Sequence, residues 1–273
     1  MLPVSHGAKP SRREAYKSTA QVLRNSHNIV QIEGFHALKH ALRFGADVLE
    51  IEAADRDEVI ALAERLAPDL TDVLAERVTR ADPDRFTGIT GRVRARARRP
   101  DFDATALLTH PGPGPVVLLD QPRHLGNVGA AIRVAAAAGA DGLVTTGTAD
   151  PWHPVAVRGA AGLQYALPVG RLDGIAELGR RLESVAETGG RGAELPGGGR
   201  PVVALDPDGE SLRAETVPAG AILAFGSERR GLSEEVRAAA GMTVALPMRE
   251  GVSSINLAAA VAATLYALRL AAD

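Results

Sequence analysis

The 273-residue sequence contains no cysteine, which removes disulfides, thiolate metal sites, thiol nucleophiles and iron–sulfur clusters together. No uninterrupted apolar run approaches the ~18–20 residues of a membrane span. The first residues, MLPVSHGAKPSRREAYKS, put no apolar core behind their charges and do not read as a signal peptide. Lysine is scarce as well, at three of the 31 basic residues (Lys9, Lys17 and Lys39). Arginine's planar fork suits phosphate recognition, although a GC-rich genome produces the same bias. No repeat of fixed period is present. With a hydrophobic share of 45%, one large or two modest domains can be packed, and a cytoplasmic location is expected.

The formal net charge of −2 gives no hint of a nucleic-acid partner, but its distribution does. Residues 1–43 hold seven Lys/Arg against two acids, net +5, and residues 44–84 hold four against twelve, net −8. Residues 85–99 then carry six arginines and no acid: Arg85, Arg92, Arg94, Arg96, Arg98 and Arg99. A single run of this kind is most often a solvated face. Two basic blocks around an acidic one, at 9–24 and 92–99, are better explained by a basic surface on the first domain.

Two segments read as joints. Residues 100–115 end in a Pro/Gly-rich run that leads into VVLLD, and residues 188–200 (TGGRGAELPGGGR) are low in complexity and read as a flexible surface loop. A small domain at 1–105 and a larger one at 106–273 are therefore expected. In the first, IEGFHALKHALRFG has helical apolar spacing, ADVLEIEA reads as a strand, EVIALAERLA and TDVLAERV as helices, and the alternation in GRVRARARR as a basic strand. His36 and His40 are four apart on a helix, but no glutamate follows His36 as in a zinc-protease motif, so they read as surface or packing histidines. The second domain alternates strands (VVLLD, GLVTTG, PVVALD, AILAFG, TVALP) with helices, which implies a mostly parallel sheet covered on both faces. Ligands of such sheets lie beyond the carboxyl ends of the strands, so the loops after VVLLD, AILAF and TVALP should carry the chemistry.

The loop after VVLLD fails as a dinucleotide fingerprint, because Gly126 and Gly129 give G-x-x-G rather than G-x-G-x-x-G. Asn127 sits at its turn, and Arg133 follows on an otherwise apolar helix, a costly place unless the guanidinium reaches solvent, an anion or a partner. The loop after AILAF contains Gly226, Ser227, Glu228 and Gly231, with Ser233 as a helix cap. The loop after TVALP runs through Met248 to Ser253, Ser254 and Asn256 ahead of an alanine-rich helix.

Taken in order, the three loops resemble the three motifs of the SpoU (TrmH-like) branch of the SPOUT methyltransferases. Asn127, Gly129 and Arg133 match Asn-x-Gly-x-x-x-Arg. Gly226, Glu228, Gly231 and Leu232 match the second motif. Leu246, Pro247 and Met248, then Ser254, Ile255 and Asn256, match the third, with Leu246 and Ile255 as volume-conserving exchanges. The family's Arg-x-Ser-x-Gly segment is matched by Arg158 and Gly162, with Ala160 in place of serine. The first domain more weakly resembles a ribosomal-protein-like RNA-binding unit.

The resemblance implies an α/β methyltransferase domain with a mostly parallel sheet and a carboxyl-terminal trefoil knot, preceded by a small α/β RNA-binding domain, and a homodimer. It implies methyl transfer from S-adenosylmethionine to a ribose 2′-hydroxyl of RNA, without a metal or a membrane. Arg133 would hold phosphate and stabilise the developing alkoxide, because a guanidinium is a poor base. Asn127 and Glu228 would orient it or the RNA, and Ser254 and Asn256 would complete the polar pocket. Gly226, Leu246, Met248 and Ile255 would hold the cofactor, and Arg158, Arg94, Arg96 and Arg98 the RNA. Ribosomal RNA, in maturation or antibiotic resistance, is favoured over transfer RNA by the extra first domain. A nucleotide-dependent Rossmann enzyme and a non-catalytic RNA-binding protein are the competing readings; tight cofactor binding with no methyl transfer would favour the second.

Overall fold

The computed structural model describes residues 28–110, 112–174 and 200–272. The basic block at 9–24 and residues 188–199 of the low-complexity stretch lie outside them. The first unit holds β1 (Ile29–Glu33), α1 (Phe35–Arg43), β2 (Val48–Ala53), α2 (Arg56–Leu66), α3 (Thr71–Arg77), β3 (Val78–Arg80) and β4 (Val93–Arg98). Its sheet has the order β1-β4-β2-β3, with β4 antiparallel to both neighbours and β2 parallel to β3. The alternation in β4 is the physical reason for its place in the middle of the sheet. Val93, Ala95 and Ala97 are buried beneath α1 and α2, and the arginines between them point outward.

The second unit starts with α4 (Ala104–Thr109), inside the segment that reads as a joint, and Leu107 and Leu108 of this helix are buried. There follow β5 (Val116–Leu119), α5 (Leu125–Ala138), β6 (Gly142–Thr146), α6 (Pro154–Gly159), β7 (Val169–Leu172), β8 (Val202–Ser211), β9 (Ile222–Phe225), α7 (Glu234–Ala239), β10 (Met242–Ala245) and α8 (Leu257–Ala272). The six strands are all parallel, in the order β10-β8-β9-β5-β6-β7. The strand period of two sorts their side chains between two cores. Val116 and Leu118 face Leu108, Leu232 and Val236, whereas Val117 and Leu119 face Val128, Ile132, Val261 and Leu265 of α5 and α8.

The second of these cores continues into the first unit, so the two sheets share one apolar cluster. Polar contacts cross the same boundary: the His40 Nδ1–H donates to the Ala161 carbonyl at 2.8 Å, Tyr165 Oη donates to the Arg98 carbonyl at 3.2 Å, and Arg158 pairs with Glu33 at 3.4 Å. Ala160, which replaces the serine of the family segment, is fully buried at this seam, where a hydroxyl would need a partner of its own.

Arg200, the last residue of the stretch that reads as a surface loop, is only 4% exposed. Its guanidinium donates to the carbonyls of Leu107, Gly114 and Gly220 at 2.7–2.9 Å and to Asp141 at 2.6 Å. Gly114, Asp141 and Gly220 each lie just ahead of a strand, β5, β6 and β9. One side chain thus ties together the amino edges of the sheet, opposite the edge that carries the site.

Candidate functional site

The carboxyl ends of β8, β9 and β10 open onto a cleft of about 630 Å³. All four residues expected to hold a cofactor line it, Gly226, Leu246, Met248 and Ile255, together with Glu228, Ser254 and Asn256. Leu205, Asp206 and Pro207 also line it, and the motif reading missed them. Their signal was available, since PVVALDPDG is a strand ending on the same edge as the other three. β10 skips residues 205–209, pairing Thr243 with Ala204 and then Val244 with Glu210, and Leu205, Asp206 and Pro207 of the skipped stretch line the cleft. Asp206 is buried there and pairs with Arg237 at 2.6 Å.

The loop after β9 is folded tightly on itself. Ser227 N–H donates to the Gly231 carbonyl at 2.9 Å and Gly231 N–H to the Ser227 carbonyl at 3.0 Å. A Cβ on Gly226 would lie 2.2 Å from the Gly231 carbonyl carbon, so only glycine allows this crossing. At the start of α5, a Cβ on Gly129 would lie 2.4 Å from the Ala156 carbonyl oxygen. The second motif position of the first loop therefore serves the close approach of α5 to α6. The loop ahead of α5 is fixed from below by Asp120, which accepts from Thr146 Oγ1 and from the Ser233 N–H, both at 2.7 Å.

Three site residues, from the first turn of α5 and from the loops after β9 and β10, form one hydrogen-bonded chain. Asn256 Nδ2 donates to Asn127 Oδ1 at 3.1 Å, and Asn127 Nδ2 donates to Glu228 Oε1 at 2.8 Å. Asn256 Oδ1 caps α8 by accepting from Ala258 and Ala259 N–H, so the helix itself sets the position of this amide. Glu228 Oε2 accepts from Arg123 N–H at 3.3 Å. Burial opposes the ionisation of Glu228, but the Asn127 amide, backbone N–H groups including that of Arg123, and the nearby His124 outweigh it, so its pKa falls below the ordinary carboxylate value. The ionised form is the one that the fold stabilises.

A folded-state pKa below the unfolded value makes this stabilisation present above the unfolded pKa and lost as pH falls through the folded one. Glu228→Gln should therefore lower stability against denaturant at pH 7, and the gap from wild type should close below about pH 4, near the ordinary glutamate pKa. Equal gaps at pH 7 and pH 3.5 would refute the assignment.

Arg133 is not brought to this chain. Six residues after Asn127 on α5, it is turned by roughly 240° and displaced by about 9 Å along the axis. It is exposed, without an ion-pair partner among the described residues, and lines a separate cavity between the two units with Glu33, His36, His40 and Arg158. His40 there titrates below its ordinary value, chiefly through burial, with Lys39, Arg43 and Arg133 adding to the effect against the opposing Ala161 hydrogen bond. No group of three or more His, Cys, Asp or Glu able to hold a metal is present among the described residues.

The arginines of β4 meet carboxylates. Arg94 pairs with Glu33 at 3.6 Å, Arg96 with Glu50 at 3.5 Å and Arg98 with Asp47 at 2.8 Å; Arg85 pairs with Glu52 at 2.8 Å. Glu33 and Glu50 stand directly opposite Arg94 and Arg96 in the ladder. The acidic and basic blocks thus meet on one sheet instead of forming separate faces, and RNA phosphate would have to displace a carboxylate at each of these positions.

The family description "SpoU rRNA Methylase family" matches residues 114–266. The 23S rRNA (uridine(2479)-2'-O)-methyltransferase of Streptomyces viridochromogenes is 34% identical over 156 residues, 55% of this chain and 50% of that protein. The chain therefore spans about half the length of that curated relative. The 23S rRNA (adenosine(1067)-2'-O)-methyltransferase of Streptomyces laurentii is 26% identical over 92% of this chain and 91% of its own length. Among solved structures, the SpoU methyltransferase AviRb from Streptomyces viridochromogenes in complex with the cofactor AdoMet superposes with a TM-score of 0.73 at 25% identity, covering 94% of this chain and 98% of that one.

Proposed function

The chain belongs to the SpoU rRNA methylase family, and from that premise we propose that it transfers a methyl group from S-adenosylmethionine to a ribose 2′-hydroxyl of large-subunit (23S) ribosomal RNA. The observation that carries the reading is the Asn256–Asn127–Glu228 chain, in which side chains from three separate segments of the chain meet at the edge of the cleft. A merely structural sheet edge has no need to gather them. The 23S rRNA substrates named for two relatives and the AdoMet bound to AviRb support the choice of acceptor and donor.

The cleft suits the donor. Its size falls in the range of about 300–1,000 Å³ typical of small-ligand sites. Leu205, Leu246, Met248 and Ile255 supply apolar surface for an adenosine, and ionised Glu228 favours a nearby cation. When bound, S-adenosylmethionine supplies the methyl group as a sulfonium electrophile. Backbone around Gly226, Leu246 and Ile255 would hold its two ends, and Met248 would pack against it. Asn127, Glu228, Asn256 and Ser254 would position the acceptor ribose, so that much of the rate comes from orientation and exclusion of water. Arg133, supplied by a second copy of the chain, would hold an RNA phosphate and offset the charge that develops on the 2′-oxygen.

Homodimerisation and the family's trefoil knot belong to the same reading, as does a domain boundary near residue 105. Because Arg133 lies outside its own chain's Asn127–Glu228 cluster, a second copy could bring a guanidinium to it. A cytoplasmic location is part of the same reading, and no helix among the described residues is long and apolar enough to cross a membrane. The test is incubation of the full chain with labelled S-adenosylmethionine and an unmodified 23S rRNA transcript, followed by mapping of 2′-O-methyl positions. One dominant modified ribose is the expected result. Cofactor binding, seen as an upward shift in Tm, with no label in any ribosomal or transfer RNA would overturn the reading in favour of a binding protein.

A further inference from the structure

A second cavity, of about 490 Å³, lies on the other side of the β9 loop from the cofactor cleft and shares Ser227 with it. Gln121, Arg123, Asp150, His153 and Arg230 are among its walls. The cavity at the seam of the two units, by contrast, has no lining residue in common with the cleft. Transfer from a bound donor needs the acceptor atom within about 3–3.5 Å and in line, so the acceptor must occupy space that adjoins the cleft.

The wall residues fit an RNA strand. Arg123 and Arg230 are exposed and have no ion-pair partner among the described residues, unlike the carboxylate-bound arginines of β4. The one acid in the wall, Asp150, is occupied by Arg99 at 3.4 Å and by Trp152 N–H at 3.0 Å. His153 Nδ1 accepts from Val155 N–H, which leaves Nε2 as the protonated nitrogen of the neutral ring. Gln121 keeps a left-handed backbone (φ 47°), with its N–H donated to Thr146 Oγ1 at 2.9 Å. Such strain at a non-glycine residue persists only where the surroundings fix it and is frequent at ligand sites. The amide it carries pairs a donor with an acceptor, as a base edge requires.

We propose that this cavity receives the acceptor nucleotide of the RNA, with Arg123 and Arg230 on the phosphates that flank it; the proposal rests on the methyl-transfer reading above. Neither side chain is part of the Glu228 hydrogen-bonded chain, because Arg123 reaches it only through its backbone N–H. The reaction chemistry can therefore survive their neutralisation.

The experiment compares wild type, Arg123→Gln, Arg230→Gln and, as a control for loss of one exposed positive charge far from the cavity, Arg65→Gln. The probe is an unmodified 23S rRNA transcript. Steady-state transfer, filter binding over a salt series and S-adenosylmethionine affinity are measured for each. The expected result is a KM for RNA raised about tenfold by each cavity variant with kcat within about threefold. The log–log salt slope should fall by roughly one per arginine, with unchanged cofactor affinity. KM and salt slope equal to those of Arg65→Gln would overturn the proposal. So would a loss of cofactor affinity, which would move these arginines to the other side of the loop. If wild type transferred no methyl group, the methyl-transfer reading would fail by itself, while the salt slope would still decide whether the cavity arginines touch RNA.

Discussion

Replacing Arg133 with alanine is expected to cut methyl transfer by about a hundredfold or more, the scale of losing one preorganised transition-state contact, while folding and cofactor affinity persist. The side chain is exposed and has no ion-pair partner among the described residues, so its loss strands no buried charge. Alanine is the better helix former, which should leave α5 at least as stable. Glu228, the acid that would have made Arg133 a structural partner, is held instead by Asn127 and the Arg123 N–H. Arg133→Lys should not restore transfer, because an ammonium cannot reproduce the planar two-point grip on phosphate. Single-turnover transfer from labelled cofactor, with a melting curve for each variant, decides the matter. Near-normal transfer by the alanine variant would end the catalytic assignment, and a collapse in Tm would recast Arg133 as part of the seam with His40.

The largest loss of stability is expected at Arg200. Arg200→Met keeps much of the volume but leaves Asp141 without its cation and removes the donor from three carbonyls. Breaking one side of a buried pair costs about 3–5 kcal/mol, which in a chain of this size corresponds to a Tm lower by roughly 10 °C. Adding Asp141→Asn should recover part of the loss, since the double variant no longer buries an unpaired charge. Cofactor affinity should change little in whatever fraction remains folded, because Arg200 ties the edge of the sheet opposite the cleft. A Tm within about 2 °C of wild type would show that solvent can take over these bonds.

The site was legible in the sequence to the extent that its parts are local. Gly226, Glu228, Leu246, Met248, Ser254, Ile255 and Asn256 follow directly on strands with a clear apolar pattern, and on a parallel sheet every such loop opens on the same edge. That is why residues far apart in the chain line one cleft. Leu205, Asp206 and Pro207 obey the same rule, but they depend on a break in the β8–β10 ladder that no local pattern encodes.

By itself the sequence determined the parallel α/β class of the second unit, most of its strands, the basic strand β4 and the three motif loops, because periods of 2 and 3.6 residues are properties of short segments. Tertiary structure alone decided which charges meet. The arginines of β4 face Glu33, Glu50 and Asp47 because strand order places β4 between β1 and β2. Arg200, at the end of a glycine-rich stretch, is buried because four segments converge on it. Asn127 joins the Glu228 chain whereas Arg133, six residues on in the same motif, lines the seam cavity, because a helix turns about 100° per residue and its two sides pack on different neighbours. Each of these outcomes depends on partners 20 or more residues distant, and the energy of burying or pairing a charge is set by those partners, not by the residue that carries it.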